Sequence, residues 1–160
     1  MLTGAVLIAA TSAAARLRER GESVAVAESS TGGLIAAALV AQDGASRYFR
    51  GGFVFYTLES MATQLADASD VEFGERSATE QRARWVADSA RARLAADWGV
   101  GETGAAGPRP NRYGDPAGHS WVAAAGPDGI VSAHVLTGDS DRLANMEAFA
   151  IRALGLIAPA

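Results

Sequence analysis

The chain has 160 residues, no cysteine, 18 acidic against 14 basic side chains and a formal net charge of −4. Every basic side chain is arginine, so lysine bases and Schiff bases are excluded along with thiolate catalysis, disulfides and cysteine-ligated metals. A mildly acidic chain of this length fits one domain over residues 1–160 with its own core, and speaks against bulk electrostatic binding to nucleic acid or anionic lipid.

Leu2, Val6, Ala10, Ala13 and Leu17 recur at three- and four-residue steps and predict a helix from Leu2 to Arg20, ended by Gly21. In a secretory leader the positive charge precedes the apolar part, whereas here Arg16, Arg18 and Arg20 follow it and read as an exposed helix end favoured by the macrodipole. No apolar run approaches the roughly 18 residues of a membrane span. The expectation is a cytoplasmic protein without membrane or nucleic-acid partners. Val24 to Ala27 predicts a buried strand. The turn Glu28-Ser29-Ser30-Thr31-Gly32-Gly33 follows, and then a helix from Leu34 to about Ala41, closed by Asp43-Gly44. Such a strand-to-helix turn leaves backbone N–H groups at the helix start, where an anion or oxyanion can be held; Ser29 and Thr31 could equally cap the helix.

Ser46 to Arg50 predicts a helical turn capped by Ser46, and Phe53 to Tyr56 a second strand. Leu58 to Leu65 reads as a short helix and Ala66 to Gly74 as a loop. Thr79 starts a further helix that ends near Trp98-Gly99, with Arg82 where a capping-box glutamate would sit. Val100 to Thr103 is the third strand, and Gly104 to Gly118 a long loop of the kind that is usually functional or mobile. Ser120 to Ala125 and Ile130 to Leu136 form a hairpin around Gly126-Pro127-Asp128-Gly129. Asp141 to Ile157 closes the chain as a helix burying Leu143, Met146, Phe149 or Ala150, Ala153 and Leu154. Alternating helices and strands with one hairpin predict an α/β fold, a three-layer α/β/α sandwich with a mixed sheet. His134, in a strand, reads as structural, and His119 with Asp115 lacks metal-ligand spacing, so neither metal nor cofactor is expected.

The turn Glu28-Ser29-Ser30-Thr31-Gly32-Gly33 resembles the Glu-Ser-Cys-Thr-Gly-Gly signature of the CinA C-terminal domain family, whose characterised members are nicotinamide mononucleotide deamidases. The resemblance continues collinearly through Gly44 to Gly52, Tyr56-Thr57-Leu58-Glu59, Thr103 to Pro108 and Pro116 to Trp121. It implies the same sandwich, a small amide-bearing nucleotide as substrate, and dimers or larger assemblies. Ser29, Ser46, Tyr56 and Thr103 match their family counterparts. Ser29 is thereby implied as nucleophile, with a lysine as its partner.

That lysine is missing. Where the family reads Tyr-Ser-Asn-Glu-Ala-Lys, this chain ends on Met61, whose thioether cannot take a proton from serine. Tyr56, Glu59 and His119 are the candidate substitutes, in that order. The family's glycine-rich loop is replaced by Arg109-Pro110-Asn111-Arg112, exchanging backbone approach for two guanidinium groups. Asp141-Arg142 resembles a family pair, and the next family arginine falls on Met146. The leading expectation is an amide hydrolase. In it Ser29 attacks, Tyr56 moves protons, and N–H groups around Ser30 to Gly33 hold the oxyanion. Glu28, Thr31, Gly32, Ser46, Thr103 and Gly104 complete the site, and Arg109, Arg112 or Arg142 meets the phosphate. The alternatives are a nucleotide-binding or regulatory homologue without turnover, or one diverted to another substrate.

Overall fold

A computed structural model describes residues 2–65 and 76–157, and the loop expected from Ala66 to Gly74 lies outside them. Helix α1, Gly4–Arg20, buries Val6, Ala10, Ala13, Ala14 and Leu17 on one face, as its spacing predicts. Gly21 then turns left-handed at φ 64°, and the Glu22 N–H returns to the Leu17 carbonyl at 2.9 Å. Strand β1, Val24–Glu28, is buried throughout. It is followed by α2, Leu34–Val40, a 3₁₀ turn at Ala45–Arg47, β2, Phe49–Val54, and α3, Leu58–Gln64. Then come α4, Glu80–Arg93, β3, Trp98–Ala105, the hairpin strands β4, His119–Gly126, and β5, Gly129–Leu136, and finally α5, Arg142–Ile157.

The strands form one sheet in the order β2-β1-β3-β4-β5, with β1 parallel to both neighbours and the last two pairings antiparallel. Val24, Val26, Val100, Val122 and Ala124 point to the face covered by α1, α2 and α5. Ala25 and Ala27 meet α3 and α4 on the other face, where Ala123 and Ala125 also pack on α4. The result is the three-layer sandwich with a mixed sheet. Among the described residues no helix is long and apolar enough to cross a membrane.

Several boundaries differ from the sequence reading. Strand β2 begins at Phe49 rather than Phe53 and ends at Val54. Its glycines disguise it: a side chain on Gly52 would strike Val26 of β1. Helix α4 stops at Arg93, and Trp98-Gly99 open β3 instead of closing the helix. Gly99 and Gly101 lack side chains because the Ala87 and Ala83 carbonyls of α4 press directly on the strand. Ser46 lies exposed inside the 3₁₀ turn and caps nothing; Gly44, at φ 72°, precedes that turn. On α5, Leu143 is 70% exposed, and the buried place belongs to Asn145, whose amide donates to the Ala106 and Asp139 carbonyls at 2.9 Å each.

Candidate functional site

Chain crossings place β1 at the switch point of the sheet, since β1 leads to β2 on one side and β2 returns to β3 on the other. In such sheets the crevice outside the carboxyl ends of the strands is where ligands bind. A pocket of about 440 Å³ opens there. Ser29 comes to it from the end of β1, and Phe55 to Glu59 with Met61 from beyond β2. Thr103 and Gly104 come from β3, Ser77 and Arg82 from around the start of α4, and Asn111 to Tyr113 from the loop after β3. Ser29 is half-buried, and its hydroxyl makes no hydrogen bond to another described residue.

The rest of the turn faces away from the pocket, onto two fully buried carboxylates. Glu28 Oε2 accepts from the Thr31 hydroxyl at 2.7 Å and from the Gly33 and Ile35 N–H groups at 3.0 and 3.1 Å; Oε1 accepts from the Ala36 N–H at 2.8 Å. Burial pushes the Glu28 carboxyl above its ordinary range, against these donors. Glu102 Oε2 accepts from the Ser29 and Thr31 N–H groups at 3.1 and 3.0 Å, and its Oε1 meets the Ser30 and Ser120 hydroxyls. A side chain on Gly104 would come within 2.8 Å of both serine hydroxyls, so glycine there lets them close on Glu102.

On the pocket side, Tyr56 is 65% exposed, and its phenol oxygen accepts from Arg142 at 2.9 Å while the same guanidinium also holds the Gly107 carbonyl. The Thr103 hydroxyl donates to the Ser77 carbonyl at 3.0 Å, so this buried residue fixes the entry to α4. Arg82 is 5% exposed; burial lowers its pKa, and the nearby Tyr113 opposes that shift. Arg112 stacks on Tyr113 at 4.7 Å. Asn111 Oδ1 accepts from the Tyr113 and Asp115 N–H groups, which makes the loop an ordered wall. Asp115 anchors it: burial pushes its carboxyl up, but Asn111, Arg76 and the charge of His119 outweigh this and hold it low.

The model of the CinA C-terminal domain matches residues 8–160. The chain belongs to the CinA C-terminal domain family. A CinA-like protein of Prochlorococcus marinus is 38% identical over 139 residues, covering 86% of this chain and 32% of the relative. One of Frankia casuarinae is 41% identical over 128 residues, covering 79% and 29%. The chain thus spans about a third of the length of the curated relatives it matches. Among solved structures, the competence/damage inducible protein CihA of Agrobacterium tumefaciens superposes with a TM-score of 0.89 at 28% identity, over 98% of this chain and 96% of that one.

Within this CinA domain the residues singled out from sequence separate into two groups. Ser29, Tyr56, Thr103, Gly104 and Arg112 line the pocket. Glu28, Ser30 and Thr31 are buried in the carboxylate clasp, and Gly32, Gly33, Ser46 and Arg109 lie off the lining. The oxyanion site expected from N–H groups around Ser30 to Gly33 narrows to that of Ser30, which makes no hydrogen bond to another described residue. The Thr31 and Gly33 groups are bound by carboxylates, and that of Gly32 by the Ser29 carbonyl at 3.1 Å. The anion at the start of α2 is the chain's own Glu28. Arg142 braces Tyr56 and Gly107, and does not line the pocket. His119 cannot replace the lysine either: its Nε2 bonds the Ala78 carbonyl at 3.0 Å and its Nδ1 meets His134 at 2.9 Å. Met61 sits buried in the pocket wall, packed with Phe55 and Leu65.

Sequence reasoning missed Glu102 and Arg82, and in the loop Tyr113. Glu102 could have been suspected, as the one charged residue in the run Trp98-Gly99-Val100-Gly101-Glu102-Thr103. Arg82 left its sign in taking the place of a capping-box glutamate: Thr79 accepts the Arg82 N–H at 3.3 Å, and the side chain goes to the pocket instead of back to the cap.

Proposed function

We propose that this chain hydrolyses the amide of a nicotinamide mononucleotide-like nucleotide, with Ser29 as nucleophile. The reading is carried by one observation: of the signature turn, only the Ser29 side chain opens into the pocket, and its hydroxyl is unengaged by described residues. Ser29 Oγ attacks the carboxamide carbon and gives up its proton. The C–N bond then breaks, ammonia leaves with that proton, and water hydrolyses the acyl-serine to the free carboxylate. Tyr56, held by Arg142, is assigned the proton transfer; Glu59 and Tyr113 are the other oxygen acids of the lining. Arg112 and Arg82 supply positive charge for the phosphate. Ammonia release from the mononucleotide, abolished in Ser29→Ala, is the expected result; none at high protein concentration rejects this substrate.

A second reading, binding without turnover, is favoured by Met61 in the wall where the resemblance implies an amine. Calorimetric binding without ammonia release supports it. Met61→Lys then decides: release gained in that variant shows that the absent amine limited turnover. The substitution buries a charge and costs about 1–3 kcal/mol of stability. A single-domain organisation, self-association and a cytoplasmic location belong to the same proposal, and light scattering tests the assembly.

A further inference from the structure

The Glu28 and Glu102 carboxylates lie fully buried side by side, and the mechanism above uses neither. Neither forms an ion pair with a described residue. Two ionised carboxylates sharing one dry site are strongly disfavoured. Both side chains sit on the α1–α2–α5 side of the sheet, in register with Val26 and Val100, whereas α4 covers the other side. Their hydrogen-bond partners among the described residues are uncharged, the two carboxylates apart. β4 contributes Ser120, the turn contributes hydroxyls and N–H groups, and α2 contributes N–H groups. From α5 it is Met146 that lies 3.7 Å from where a Gly32 side chain would start, at the position where the family resemblance implies an arginine.

Hydroxyl protons cannot satisfy the contacts if both groups are ionised. The Ser120 hydroxyl has one hydrogen but meets two acceptors, Glu102 Oε1 at 3.1 Å and the Thr103 carbonyl at 3.0 Å. The Thr31 hydroxyl likewise has one hydrogen and faces Glu28 Oε2 at 2.7 Å and Glu102 Oε2 at 3.0 Å. One added proton on Glu102 Oε1 resolves the first of these conflicts and leaves the single Thr31 hydrogen to the nearer of its two acceptors. Glu102 donates to Ser120, Ser120 donates to the Thr103 carbonyl, and Thr31 donates to Glu28. Glu28, with three backbone N–H donors, remains the ionised partner, while Glu102 Oε2 still accepts from the Ser29 and Thr31 N–H groups.

We propose that Glu28 and Glu102 hold one proton between them, and that Glu102 is the positioning residue that fixes Ser29 at the pocket mouth. The second half rests on Ser29 being the functional hydroxyl; the first stands on hydrogen bonding alone. Infrared spectroscopy of the full chain at neutral pH reads the shared proton directly. The expected result is a carboxylic-acid carbonyl band of a buried group that is lost in Glu102→Gln. Absence of the band from the unmodified protein overturns the shared proton, and its persistence in Glu102→Gln overturns the assignment to Glu102. The backbone amide resonance of Ser29 reads the positioning, since its acceptor changes from a carboxyl to an amide oxygen. It shifts in Glu102→Gln, whereas an unchanged signal refutes the role. These readouts are independent of turnover, so a protein that shows the band but releases no ammonia loses only the hydrolase reading.

Discussion

Two sides of one turn do opposite work. On the inner side Glu28, Ser30, Thr31, Glu102 and Ser120 form a sealed polar clasp; on the outer side Ser29 faces Tyr56, Met61, Arg82 and Arg112 across an open pocket. Adjacent serines, chemically identical, are separated by burial alone. A signature rich in hydroxyls and glycines therefore devotes most of its polar groups to holding its own shape, and offers a single hydroxyl to a ligand.

The comparison breaks most visibly at Glu28. Glu28→Ala removes a buried acceptor of three backbone N–H groups at the start of α2, of which that of Ile35 is itself buried. The expected loss is on the order of 3–5 kcal/mol in urea unfolding, enough to threaten folding. A loss under about 1 kcal/mol, within the range of ordinary surface substitutions, contradicts a sealed clasp.

The two serines separate next. Ser29→Ala abolishes ammonia release, by roughly a hundredfold or more, while stability stays within about 0.5 kcal/mol. Ser30→Ala does the reverse: it deprives Glu102 of a buried donor at a cost of about 1–2 kcal/mol and leaves turnover near its starting level. Equal effects of the two on activity erase the distinction between the two sides.

The clasp also sets a pH dependence. Burial raises the Glu28 carboxyl above its unfolded value, so between the two values the folded chain holds more protons than the unfolded one. Stability is then greatest on the acid side of that window and falls as pH rises through the folded value. Glu28→Gln removes the titrating group itself, so this fall disappears from urea titrations at a series of pH values.

On the pocket side, Arg112→Ala raises KM for the phosphorylated substrate about tenfold, the effect of about 1.4 kcal/mol, and leaves KM for the dephosphorylated nucleoside unchanged. A rise for both shows that Arg112 merely shapes the wall through Tyr113.

The elements set by local periodicity were legible: α1 from its three- and four-residue spacing, and the hairpin, whose Gly126 and Gly129 pair across Pro127-Asp128. The elements set by tertiary contact were not. Gly52 and Gly101 sit in strands only because Val26 and the Ala83 carbonyl occupy the space of their side chains, and no local pattern announces that. In the site, Ser29, Tyr56 and Thr103 were reached through resemblance. Glu102 was not, because its partners Ser29, Ser30 and Thr31 lie more than seventy residues away in the chain and meet it only when β1 pairs with β3.

The smallest effect lies farthest from both sides, behind the pocket loop. His134 stacks on Trp121 at 4.9 Å and meets His119 at 2.9 Å; burial, and then the charge of His119, lower its pKa. A histidine depressed in the folded state binds fewer protons there than when unfolded. The stability it supports is therefore present above the unfolded value, near 6.5, and is lost as pH falls toward the folded one. Because His134 is largely exposed, the change amounts to a few tenths of a kcal/mol at most. His134→Phe keeps a ring against Trp121 but cannot be protonated, and so removes that acid slope from the unfolding curves. Should the slope survive unchanged, it does not come from His134, and the loop wall is anchored from its buried end alone.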